Sequence, residues 1–456
     1  MLQQSVFGHN TAVFCRANTG QDWARNASST PVERPTPKPA LGSRSRGLRP
    51  GPHSNRPVPS RVGPTPLLRP IYRHGDRSPI QAYPADPYTE KDWPEGFAQL
   101  TVVGMKQHYA LGQYLRHRYN TFLNSSYDRH EVYVQSTDID RTLMSAQVNL
   151  AGLYHLQGHQ VFHPDLRWQP VPVHTVPVEQ DKFLKFPLKN CPRFQKLLEE
   201  TMNSREVREK IQKNTDFLNM VSNNTKMKVT MHNEWEVYDT LFCEKTHNFT
   251  LPSWATHEVM ARMRELNDFG MEVFFQLHKT QEKSRLQGGV LLKRILQNIN
   301  QAVNESTPMP SLKLIMYSAH DVTLIALQMA LNVYNYIIPP YASCFMFELY
   351  EEDDRSFTLD MYFRNQSDSE PHLLTLPNCT EHCPLQDFIR ITKHLIADNW
   401  EEECKISSDS NQTGLVLAAA LSVCFVLLIV LGMTLYWCWN WKISRLCVPT
   451  SSDELA

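Results

Sequence analysis

The stretch Arg73-His74-Gly75-Asp76-Arg77-Ser78-Pro79 sets an imidazole between two guanidinium groups. A neutral imidazole nitrogen can attack phosphorus, and two arginine forks can hold the non-bridging phosphate oxygens while charge builds on them. Glycine after the histidine leaves room for a phosphate to approach the backbone. Taken alone, the same tripeptide also suits an Arg/His-rich surface turn. Two distant segments supply matching chemistry. In Val132-Tyr133-Val134-Gln135-Ser136-Thr137-Asp138-Ile139-Asp140-Arg141-Thr142, a β-branched and aromatic run meets cap residues and then helix-forming sequence. A strand therefore hands over to a helix near Asp140, with Arg141 in the first turn, where free N–H groups and the helix dipole favour an anion. A surface ion pair of Arg141 with Asp138 or Asp140 fits that segment equally well. In Leu312 to Leu324, an apolar run ends in His320-Asp321 before another helical pattern. Ligands of open α/β sheets bind at the carboxyl ends of strands, so His320 could donate to a phosphate oxygen and a protonated Asp321 to a leaving alkoxide. A plain strand-end cap is the alternative.

The elements that must position these groups follow from periodicity. Gly104–Phe122 and Leu324–Leu331 read as helices, Met346–Tyr350 and Phe357–Tyr362 as strands. Cys191–Val207 and His257–Leu286 repeat apolar residues at three and four positions and read as helices of a cap subdomain spanning about 161–288. Alternating strands and helices with a helical insert give an α/β domain carrying a smaller α domain. His108, His117 and His130 read as surface or core-edge residues rather than ligands.

From about Ile71 to Cys404 the chain resembles the histidine acid phosphatase family, in particular its lysosomal and prostatic members. The resemblance rests on the motifs above and on Trp168-Gln169-Pro170-Val171-Pro172-Val173-His174-Thr175, Ser284-Arg285-Leu286-Gln287-Gly288-Gly289-Val290 and Pro340-Tyr341-Ala342-Ser343-Cys344. It implies a mixed central sheet flanked by helices, as in phosphoglycerate mutases, with a helical cap. It also implies a two-step hydrolysis of phosphomonoesters. His74 would take the phosphoryl group, Asp321 would protonate the leaving oxygen, and Arg73, Arg77, Arg141 and His320 would hold the phosphate. Phosphoproteins and phospholipids would be further substrates of the same chemistry, and the resemblance implies a homodimer. Gln135 stands where relatives carry arginine, and Val322 where they carry threonine. Two other readings share the motif: a catalytically impaired membrane glycoprotein of the same fold, and a phytase-like phosphatase.

The residues agree with an acid optimum: Asp321 must keep a proton, and neighbouring guanidinium groups push the His74 pKa down. The arginine cluster supplies the positive charge, no His-x-x-x-His or paired Cys-x-x-Cys pattern suits a catalytic metal, and no cofactor is expected. A formal net charge of −1 argues against nucleic acid as a partner.

The remaining chain points to a secreted-pathway membrane protein. Between Asp409 and Lys442 there is no charge, giving a transmembrane helix over 414–441 with an aromatic belt of Tyr436, Trp437, Trp439 and Trp441. Lys442 and Arg445 place the tail 442–456 in the cytoplasm, with a stalk over 405–413 and a domain of 67–404 outside or in a lumen. Lysosomal and plasma membrane both suit this type I arrangement. Sequons begin at Asn124, Asn223, Asn248, Asn304, Asn365, Asn378 and Asn411. Spacing favours a disulfide between Cys379 and Cys383, while the family resemblance implies Cys191 with Cys404 and Cys243 with Cys344. Residues 1–66 are rich in Pro and Arg and lack a signal-peptide core, so they read as a disordered leader from a misassigned first exon, or as an isoform inserted by its own span. Pro70 should remove a ladder donor from the strand leading into His74 and damage it.

Overall fold

The computed structural model describes residues 67–156, 158–185, 190–303, 312–406 and 410–446, with side chains left aside in 410–418 and 443–446. The leader 1–66, the Asn304 sequon, the Asn411 side chain, Cys15, Cys447 and the tail beyond Leu446 lie outside the described residues. The chain divides after Cys404 into two units.

In the first unit, β1 (Leu67–Arg73), β2 (Val132–Ser136) and β3 (Leu314–Ala319) run parallel, in the spatial order β2-β3-β1. The sheet continues from β1 through β4 (Cys344–Glu351), β5 (Phe357–Arg364) and β6 (His372–Leu374), all antiparallel, while β7 (Cys383–Pro384) pairs with β5. The sheet is therefore mixed, and both faces are covered. Leu68 and Tyr72 of β1 pack with Val132, Val134 and Met316 against Leu111 and Leu115 of α1 (Val102–Arg118) and Ala146 and Leu150 of α2 (Asp140–Leu153). Leu67 and Ile71, on the opposite pleat, pack with Ile315, Phe345 and Phe347 against α9 (Gly288–Val303), α10 (Asp321–Ala330) and α11 (Leu385–Thr392).

Pro70 does not break β1. Amide donors of Leu68 and His74 bond to Lys313 and Ala319 on the β3 side, while that of Arg73 bonds to Ser343 on the β4 side. By this alternation position 70 faces β3, so proline removes one ladder bond there, and the β1–β3 register skips residues 69 and 70. The pairing with β4 is continuous from Leu67 to Tyr72 and holds the strand.

Between α2 and β3 a run of loops and short turns leads into successive helices: α3 (Pro192–Met202), α4 (Arg205–Lys213), α5 (Thr215–Thr225), α6 (Glu234–Thr246), α7 (His257–Phe275) and α8 (Thr280–Leu286) precede α9. The helix expected over Cys191–Val207 stops at Met202, because Ser204 caps α4 through the Val207 amide. The pattern His257–Leu286 breaks where His278 and Lys279 take left-handed backbone. Helices α5, α6 and α7 share an apolar cluster of their own around Val221, Leu241 and Met263.

Disulfides join Cys191 to Cys404, just after the short α12 (Trp400–Glu403), and Cys379 to Cys383. The pairing of Cys243 with Cys344 is not formed. Cys344 is a free buried thiol whose neighbours are Tyr72, Met346 and Tyr362 in the α1–α2 core, whereas disulfide-bonded Cys243 packs with Trp93 and Tyr341. The sequon residues Asn124, Asn223, Asn248 and Asn378 are exposed, and Asn365 is half-buried. In the second unit, α13 (Ser410–Leu446) starts inside the stretch assigned to the stalk. Its segment Ala419–Lys442 is long and apolar enough to cross a membrane.

Candidate active site

The three parallel strands end on one side, and each delivers a polar group there. Arg73 closes β1, Ser136 and Thr137 follow from β2, and His320 follows from β3, with the His74 amide bonded to Ala319 O at 3.0 Å and the Thr137 amide to Ser318 O at 3.2 Å. Two helices start at the same place. Arg141 lies in the first turn of α2, while His320 is the N-cap of α10 and Asp321 its first residue. The N-terminal ends of both helix dipoles add positive potential to the guanidinium charges.

His74 is buried, with Nδ1 2.8 Å from the Gly75 carbonyl. A carbonyl only accepts, so Nδ1 carries the proton and donates, which leaves Nε2 with a free lone pair and no partner among the described residues. Burial first, then Arg141, Arg73, His320 and Arg77, hold the imidazole pKa well below its usual value, so the ring is neutral. Gly75 serves a closer contact than the phosphate approach expected of it: a Cβ there would lie 2.5 Å from the Gly104 carbonyl of α1. Glycine is required to seat the histidine loop on that helix.

Arg73 spans several contacts, reaching Asp321 Oδ2 at 2.9 Å and donating to the Pro339 carbonyl at 2.6 Å, with its guanidinium 4.2 Å above the Tyr341 ring. Arg77 grips Asp239 of α6 with two parallel bonds of 3.0 and 2.9 Å. Arg141 is only 5% exposed and forms no ion pair with Asp138, Asp140 or another carboxylate among the described residues. Burial, then Arg77, pull its pKa down to about 9. His320 Nε2 lies 3.1 Å from Thr137 Oγ1, and Nδ1 is buried without a partner. Burial, then Lys185, Arg141, Arg73 and Arg77, keep this second ring neutral.

Asp321 is fully buried, and Oδ1 accepts the Val322 amide at 2.6 Å. Burial raises its pKa to about 6 even though Arg73 opposes the shift. A carboxyl that keeps its proton in mild acid beside a neutral imidazole is the pairing that acid-assisted phosphoryl transfer needs.

The sequence motifs thus bring His74, Arg73, Arg77, Arg141, His320 and Asp321 together. His108 does not fit its expected place. It is fully buried, bonds the Arg73 carbonyl at 3.0 Å, and its pKa falls to about 3 through burial. His117 and His130 are exposed. Of the two departures, Val322 touches the cluster through its backbone, as the amide donor to Asp321. Val322 packs with Phe194 and Ile325, and Gln135 is bridged through its backbone to His174, whose ring stacks on Tyr133. Residues the motifs do not reveal are Asp239, Tyr341, Lys185 and His247, which pairs with Asp76 at 2.7 Å. Tyr341 falls in a quoted family stretch and could have been found there; the other three carry no local signal.

A family model for the histidine phosphatase superfamily (branch 2) matches residues 68–365. The chain is 50% identical over 382 residues to lysosomal acid phosphatase of Homo sapiens, covering 83% of this chain and 89% of that protein. It is 51% identical over 343 residues to prostatic acid phosphatase of Bos taurus, covering 74% and 86%. Among solved structures, Hafnia alvei phytase in complex with tartrate superposes with a TM-score of 0.57 at 14% identity, covering 76% of this chain and all (100%) of that one. That likeness carries the fold alone.

Proposed function

The chain belongs to the histidine phosphatase superfamily, branch 2, and we propose that it is an acid phosphatase hydrolysing phosphomonoesters through a phosphohistidine at His74. The observation that carries this reading is the bare, buried Nε2 of His74 among Arg73, Arg77, Arg141 and His320. In the first step Nε2 bonds to phosphorus as the ester P–O bond breaks, and Asp321 gives its proton to the departing oxygen. The Nδ1–H bond to the Gly75 carbonyl stays in place while the imidazole gains charge. In the second step Asp321, now a carboxylate, takes a proton from water as its oxygen attacks phosphorus, and the P–N bond breaks to release inorganic phosphate and neutral His74. The arginines and His320 act on oxygens whose charge grows in both transition states. They supply the charge that a metal supplies in other phosphatases, so activity should persist in a chelator.

In this reading the enzyme is a single-pass type I protein, with its catalytic unit in a lumen or outside the cell and its membrane lysosomal or plasma. The apolar Ala419–Lys442 segment, the disulfides and the exposed sequons support that topology.

The test is hydrolysis of phenyl phosphate at acid pH by the full chain in detergent, together with acid quenching and alkaline quenching of labelled enzyme. Activity with an alkali-stable, acid-labile phosphoryl group on His74 is expected. His74→Ala should lose both, with kcat falling roughly 10^4-fold or more. Turnover surviving in that variant would overturn the nucleophile.

A further inference from the structure

Three arginines hold the phosphoryl site and a further cation, Lys185, stands outside them, and the four are not equivalent. Arg73 is met by Asp321 and Arg77 by Asp239, whereas Arg141 and Lys185 meet no carboxylate at ion-pair distance among the described residues. Arg73 and Arg77 are fully buried and Arg141 is 5% exposed. Lys185 is half-buried, the outermost of the four. Its place is set by two hydrogen bonds. Thr323 Oγ1 donates to the Leu184 carbonyl at 2.7 Å and accepts the His320 amide at 3.3 Å, which ties the Lys185 segment to the N-terminus of α10. Asp181, the nearby carboxylate, is engaged by the Phe183 and Leu184 amides of its own turn. Lys185 lines a cleft with Thr323 and Gln287, and the Gln287 amide is buried with neither its oxygen nor its nitrogen partnered. Burial and the Arg141 charge bring the ammonium to about 8, so it is charged under acid conditions.

A cation held without a counter-ion beside an orphaned amide donor costs free energy unless an anion completes it. With Asp321 protonated for catalysis, Asp239 is the carboxylate paired with one of the four cations among the described residues, and Asp181 acts on Lys185 from beyond ion-pair distance. A phosphomonoester monoanion, the form favoured in acid, leaves positive charge over. That charge lies toward Lys185, the least buried of the four.

We propose that Lys185 and Gln287 form a second anion subsite that selects phosphomonoesters whose leaving group bears a further anionic group, a carboxylate or a second phosphate. The proposal rests on the phosphatase reading and narrows its substrate class.

A matched substrate pair tests it: phenyl phosphate and 3-carboxyphenyl phosphate, assayed with the full chain and its Lys185→Gln, Lys185→Arg and Gln287→Ala variants. The native enzyme should prefer the carboxylated ester through a lower KM. Lys185→Gln should raise that KM roughly tenfold and leave phenyl phosphate within about twofold, Gln287→Ala should give a smaller loss of the same kind, and Lys185→Arg should retain the preference. Equal losses on both esters would place Lys185 on the phosphoryl group and overturn the proposal, as would no loss on either. If the native enzyme turns over neither ester, the phosphatase reading fails; if it turns over both without preference, only the subsite fails.

Discussion

Two buried arginine–aspartate pairs flank His74, and they hold their carboxylates in different ways. Asp239 receives both guanidinium N–H groups of Arg77 and the Ile80 amide at 3.2 Å. Asp321 has one Arg73 contact and one amide, and burial lifts its pKa to about 6. A bidentate fork with a third donor fixes an anion, while a single contact in a dry site leaves the proton within reach. One pair therefore builds the phosphate clamp, and the other supplies the proton.

The largest effect that separates them is on the chemical step. Asp321→Asn should lower kcat by roughly 10^2- to 10^4-fold on an alkyl phosphate, with a smaller loss on p-nitrophenyl phosphate, whose leaving group needs little proton assistance. Equal losses on both esters would remove Asp321 from the acid role. In the native enzyme, kcat/KM for the alkyl ester should fall as pH rises through about 6, where Asp321 of the free enzyme loses its proton.

Asp239→Asn should instead act on folding and binding. It strands a buried guanidinium, so stability should drop by roughly 3–5 kcal/mol in denaturant unfolding of the catalytic unit. KM should rise more than kcat falls. A variant with native stability would show that the fork is not the anchor we describe.

How far this contrast can be read in the sequence differs between its halves. Asp321 is legible because β3 is a continuous apolar run that must end in His320-Asp321 before a helix, and parallel strands end together. Asp239 is not, since it meets Arg77 across 162 residues from the middle of α6, among residues such as Val237 and Leu241 whose pattern records only the core they join. Pro70 shows the opposite error. A local rule forbids the strand, yet pairing with β4 on its other edge outweighs one missing donor. The cap helices are legible in type but not in their breaks, which depend on Ser204 capping and on the left-handed Lys279.

A third arrangement sharpens the comparison, because here a carboxyl faces a carboxyl. Glu244 of α6 is buried, and its oxygens and Asp86 Oδ2 meet no other donor among the described residues, so the proton of one carboxyl bonds the other. Burial first, then the Asp86 charge, raise Glu244 to about 9, and Asp86 also shifts up. A folded pKa raised above the unfolded value contributes stability that is fully present below pH 4.5 and is lost as pH rises toward 9. Asp321 adds to the same trend between its usual range and about 6. The melting temperature should therefore decline from acid to alkaline pH, and Glu244→Gln, which mimics the protonated form, should flatten the upper part of that decline. A profile rising between pH 6 and 9 would contradict this assignment.

The smallest effect concerns sulfur beside the clamp. Arg77 Nη1 lies 3.9 Å from Cys243 Sγ, so a bridge from Cys243 to Cys344 would brace the Arg77–Asp239 pair from β4. Cys344 instead sits in the α1–α2 core as a free thiol, pushed up to about 12 by burial. Cys344→Ala then removes only a small apolar group, and should cost about 1–2 kcal/mol with KM and kcat within about twofold of native. Losing a disulfide would cost roughly 2–5 kcal/mol and loosen the clamp, raising KM as Asp239→Asn does. Alkylation of the unfolded, unreduced chain followed by peptide mapping separates the two directly: label on Cys344 leaves β4 without a covalent tie to the clamp, and its absence would return that brace to the Asp239 side.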